Sequence, residues 1–165
     1  MSRIGGALPH RRSRHVDAGI YGLILGSSII AAASVEHPDR PGVVEAYLCV
    51  TAVVFFLAHV YARIIGAWIE GEAPSRASVR RELAREWPMV SAQLLPALAL
   101  LLGALRVLPP QTAITSALVL ALSTLFVAVG FACRQARATR TQTATSLVVA
   151  TAFAAAIVGL KIFVH

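Results

Sequence analysis

Long apolar runs that hold almost no Asp, Glu, Lys or Arg constrain this chain more than anything else in it. "IYGLILGSSIIAAASV" and "LLPALALLLGAL" carry no charge at all. A soluble domain of similar size has about a quarter charged residues. Here 14% are charged and 57% hydrophobic, with a mean hydropathy of +0.71. About 20 apolar residues suffice to cross a hydrocarbon core as a helix. Five segments reach or approach that length, roughly residues 17–35, 42–68, 89–108, 111–133 and 145–164. None alternates strictly every second residue, so a membrane barrel is not expected. The expected fold is all-α: a basic cytoplasmic tail over 1–16, then one transmembrane helical domain over 17–165.

The net charge of +7 raises the question of nucleic acid, and the placement of the charges answers it. Arg and Lys sit almost entirely between the apolar runs, where they set topology and attract anionic lipid heads. No aromatic-interleaved basic patch or zinc-ligand spacing is present, so no nucleic acid, metal or cofactor is expected. The tail holds Arg3, Arg11, Arg12 and Arg14. The second connection holds Arg76, Arg80, Arg81 and Arg85, and the fourth holds Arg134, Arg137 and Arg140. The first has only Arg40, the third is little more than "LPPQ" after Arg106, and the C-terminal end has Lys161. An excess of basic residues marks the cytoplasmic side, which places the N-terminus inside and the C-terminus outside. Arg outnumbers Lys fourteen to one, and Ala is abundant, a bias common in GC-rich bacterial genomes. A bacterial cytoplasmic membrane is the expected location.

A cleaved leader is the alternative for the first segment, since "IIAAAS" contains an A-x-A-like site after a basic stretch. The apolar run exceeds the usual 7–15 residues or so of a signal h-region, and Asp17 sits at its start, so retention is expected. Cys49 and Cys133 lie near opposite ends of their spans. A disulfide needs Cα atoms within about 7 Å, and these two are expected to stay unpaired.

In "GEAPSRASVRRELAREWP", Val79, Leu83 and Trp87 recur every fourth residue while Arg80, Arg81 and Arg85 fill the other side. That pattern predicts a short cytoplasmic interfacial helix over about 76–87, stopped by Pro88. Small residues mark packing faces: Gly22 and Gly26 in span one, Ala152 and Ala156 in span five. Such faces let helices approach closely in lipid. Contacts within one subunit are the leading expectation, and a homo-oligomer or a membrane-protein partner the second.

Ionisable groups inside a span are costly and are functional candidates by default. At about 100° per residue, Glu45 and Arg63 fall on one line of span two, with His59 close to it. By a rise of about 1.5 Å per residue, Asp17 and Arg63 reach the same depth, as do Tyr21 and His59. The expectation is a polar ladder, Asp17 to Arg63 and Tyr21 to His59, with a second pair, Glu45 to Arg106, toward the outer side. The ladder is either a structural clamp or an ion- or proton-responsive pathway gated near His59. Neither G-x-S-x-G, H-E-x-x-H nor a midplane pair of carboxylates is present, so no catalytic residue is assigned and an intramembrane enzyme is disfavoured. A non-catalytic membrane component is the leading expectation, and a small channel or transporter subunit the second.

"LAHVYARIIGAWIEG" and "RRELAREWPMVSAQLLPALALLLGAL" resemble small multi-pass membrane proteins of actinobacterial type. The likeness covers spans two and three and the helix between them. It implies a helical membrane protein and carries no activity or functional residue with it.

Overall fold

A computed structural model describes residues 10–163 other than 72 and 74, with side chains from Asp17 to Gly159. The stretch 1–9, the side chains of Arg11, Arg12 and Arg14, and that of Lys161 lie outside the described residues. Among the described residues the chain is all-helical. Its elements are α1 (His10–Glu36), α2 (Pro41–Ile69), α3 (Arg76–Ser91), α4 (Leu94–Ala104), α5 (Pro110–Gln135) and α6 (Arg140–Phe163). Four helices are long and apolar enough to cross a membrane, and a fifth crossing is made if α3 and α4 count as one bent span.

Prolines set two of the helix starts. Pro41 and Pro110 stand at the first positions of α2 and α5, where a missing N–H costs nothing and the fixed φ suits a helix. Ser75 starts α3 with a reciprocal cap: its hydroxyl accepts from the Ser78 N–H at 3.1 Å, and its N–H donates to the Ser78 hydroxyl at 2.9 Å. Pro88 does not stop this helix, contrary to expectation; α3 runs on to Ser91. The break falls instead at Ala92 and Gln93, with a bend of 53° between α3 and α4. Pro96 accounts for the position, because a proline ring clashes with the carbonyl four residues earlier, here that of Ala92. The helix expected over 76–87 is thus part of α3, the first arm of a bent pair, and the span expected over 89–108 is divided by the break, with 89–91 in α3 and 94–104 forming α4.

α1 is the hub. It packs against α2, α3, α5 and α6, and 50% of its apolar window is buried against 11% for α6 at the periphery. Two cores flank it. One gathers Ile30, Val44, Leu48, Leu100, Ile114 and Ala117; the other gathers Leu23, Leu125, Val129 and Ala150. Glycine makes the hub possible. A Cβ on Gly22 would run into the Met89 carbonyl, and one on Gly26 into the Gln93 side chain. The Gly22–Gly26 face is therefore used within the chain, to seat the α3–α4 break. Span five differs: Ala152 and Ala156 are exposed, and α6 turns Ala150 and Ile157 inward instead. A peripheral helix packs along one stripe only, and here the stripe is not the small one.

Candidate functional site

Three helices bring polar and aromatic side chains together at one end of the bundle. α2 supplies His59 and Arg63, α1 supplies Tyr21, and α3 supplies Glu86, with Phe55, Phe56 and Trp87 around them. Arg63 Nε donates to Glu86 Oε1 at 2.7 Å. Glu86 is 3% exposed, whereas the Arg63 side chain is 46% exposed. The guanidinium thus reaches in from the edge to neutralise a carboxylate sealed between helices. A second pair, Arg85 with Glu82 at 3.5 Å, stays within α3.

Asp17 therefore does not take the partner expected for it. It is exposed at its end of α1, and Arg63 turns to α3. α3 lies against both α1 and α2 and delivers a carboxylate to Arg63 in place of Asp17. The missed residue had a signal. Glu86 lies about 60° from Leu83 at 100° per residue, on the apolar stripe of α3, where a carboxylate needs a partner. Tyr21 and His59 do meet, with ring centroids 5.0 Å apart. Tyr21 also lies 6.5 Å from Phe55, and Phe56 meets Trp87 edge-on at 6.4 Å. His59 Nδ1 donates to the Phe55 carbonyl at 2.9 Å, which ties the imidazole to its own helix and directs Nε2 away from that backbone.

Toward the other end of the bundle no ion pair joins Glu45 to Arg106 among the described residues. Glu45 is half-buried and Arg106 exposed. The backbone explains Arg106: its φ is 59°, and it closes α4. The Val107 N–H reaches the Leu102 carbonyl at 2.9 Å, and the Arg106 N–H reaches that of Gly103 at 3.0 Å. This is the Schellman arrangement, which favours glycine at the left-handed position. Arg106→Gly is accordingly expected to stabilise the fold by about 0.5–1 kcal/mol, read as a higher Tm in detergent. A lower Tm would mean that the side chain holds Glu45 after all.

Chemically the cluster is self-satisfied. The buried charge has its counter-charge, and the imidazole has a backbone partner. Hydroxyls behave likewise, since Ser27, Ser28, Thr124 and Thr151 each donate to a carbonyl of their own helix. Cys49 and Cys133 are free thiols. Among the described residues no three His, Cys, Asp or Glu side chains gather closely enough to hold a metal ion.

Fold and site define a class, an all-helical protein with several apolar helices long enough to cross a membrane. No protein-family model, curated protein or solved structure matches the chain.

Proposed function

We propose that the chain is a non-catalytic, five-span component of a bacterial cytoplasmic membrane, with its N-terminus inside and its C-terminus outside. Counting α3–α4 as one broken crossing, with Arg76, Arg80, Arg81 and Arg85 of α3 at its inner end, lets the Arg-rich stretches alternate with the Arg-poor ones, in accord with the positive-inside rule. The Arg-rich, Lys-poor composition supports the bacterial assignment. The observation that carries the non-catalytic reading is the Arg63–Glu86 pair: the buried carboxylate is neutralised by a guanidinium from the neighbouring helix. We read this pair as a clamp that holds the broken third crossing against α1 and α2. Buried pairs of this kind fix an arrangement more than they add net stability.

A small channel or transporter subunit gated near His59 is the second reading, favoured by one specific observation. The helix breaks at Ala92–Gln93 within an apolar run, and Gln93 is 4% exposed. Irregular backbone at membrane depth recurs where substrates or ions bind. Reconstituted vesicles separate the two. The clamp reading expects no proton or monovalent-ion flux above that of empty vesicles. A flux lost in His59→Ala and kept in Arg80→Ala would replace it with the transport reading.

A further inference from the structure

We propose that the outward side of α3 seats the phosphate of an anionic glycerophospholipid between Arg76 and Arg80, at the inner end of the α3–α4 crossing. An open recess of about 490 Å³ lies here, lined by Ser75, Arg76, Val79 and Arg80. Ligand sites usually measure about 300–1,000 Å³. Both arginines are exposed and stand one turn apart, where Cβ atoms lie about 5–6 Å from each other. Two guanidinium groups can therefore reach one phosphate. Like charges at this spacing weaken a helix, and an anion between them lifts the repulsion. The acids of α3 are engaged elsewhere, Glu82 with Arg85 and Glu86 with Arg63. Arg76 and Arg80 are in no ion pair among the described residues. Glu70, exposed at the end of α2, is the nearest other described acid along the chain, one charge against their two.

The start of the helix contributes little to the seat. The Ser78 and Val79 N–H groups are already taken by the Ser75 hydroxyl and carbonyl, so recognition falls to the guanidinium groups, which grip phosphate oxygens in pairs. The order of residues along this side of α3 makes the phosphate a lipid's. At 100° per residue, Trp87 falls within about 20° of both arginines, and it is 57% exposed. It stands about 10 Å further along the helix than Arg80, at 1.5 Å per residue. A headgroup layer is about 5–7 Å thick on each face of the bilayer. Arginines at phosphate level thus put the indole at the edge of the hydrocarbon, where tryptophan is favoured. Arg81 lies about 100° round from Arg80 and does not line the recess. Neither Arg76 nor Arg80 belongs to the cluster around His59, so Arg80→Ala still serves as the flux control.

This inference rests on the proposed membrane topology, and the experiment keeps the two apart. The full chain is purified in detergent and mixed with equal amounts of dioleoyl phosphatidylglycerol, phosphatidylethanolamine and phosphatidylcholine. Retained lipid is then counted by native mass spectrometry. The expected result is enrichment of phosphatidylglycerol by about fivefold or more. R76Q/R80Q should bring the three lipids to parity. R76K/R80K, which keeps the charge and loses the planar grip, should fall between. R81Q removes the same charge from the same helix as R80Q, and it should leave the enrichment unchanged where R80Q lowers it. All the replaced side chains are exposed, and circular dichroism confirms that each variant is folded. Equal retention of the three lipids by the wild type overturns the seat. Enrichment that survives R76Q/R80Q, or that falls equally in R80Q and R81Q, overturns it too. Displacement of bound phosphatidylglycerol by millimolar inorganic phosphate would assign the arginines to soluble phosphate and overturn the lipid. The topology fails separately: labelling of A77C from outside intact cells by a membrane-impermeant maleimide would put α3 on the wrong side, whatever lipid is retained in detergent.

Discussion

Gly22→Ala is expected to cost the bundle about 3 kcal/mol, at the upper end of what over-packing usually costs. The added methyl meets the backbone of Met89, its carbonyl oxygen first, and a backbone inside a helix cannot swing aside as a side chain does. α3 must therefore back away from α1, and with it go the buried contacts of Met89 and Leu23. The effect spreads because α1 touches four other helices. Gly66→Ala is the control. Nothing lies within 4 Å of the added atom there, and alanine is the better helix former by about 1 kcal/mol. Thermal unfolding in detergent should show the first variant well below wild type and the second at or above it. Equal behaviour of the two would mean that α1 and α3 are not seated as described.

The second large effect lies in the clamp, and it is asymmetric. Arg63→Met keeps the apolar stem and removes the charge, which leaves the Glu86 carboxylate buried without a partner. Breaking a buried pair in this way costs about 3 kcal/mol. Glu86→Gln keeps shape and an acceptor oxygen while the half-exposed Arg63 retains its access to water or lipid heads, so about 1 kcal/mol is expected. The order of the two variants on unfolding is the measurement. A clamp whose carboxylate was the accessible member would reverse it.

The helical class was legible because charge-free runs of that length have few other fates. The Gly22–Gly26 face was legible for the same kind of reason, since small residues four apart mark close approach whatever the partner is. The partner itself was not. Depth along a membrane normal can be counted from a sequence, and it put Asp17 and Arg63 level. It says nothing about which helix lies on which side, and α3 came between as the nearer source of a carboxylate. Two local signals pulled the same way. Pro88 reads as a helix stop, yet α3 runs through it to Ser91 and the break comes only ahead of Pro96. The arginines of α3 drew attention to its polar side, while Glu86 sat on the apolar one. At the opposite end the charge of Arg106 suggests a side chain in search of an acid, although its place is set by the backbone turn that ends α4.

If Arg63 and Glu86 act as one structural unit that holds the α3–α4 pair against α1 and α2, a double-mutant cycle reveals the coupling. The unfolding free energies of R63M, E86Q and R63M/E86Q are compared in the same detergent. The double variant is expected to be more stable than R63M alone, because the second substitution removes the stranded carboxylate. Losses that simply add would contradict it, since two side chains that never meet have no coupling to lose.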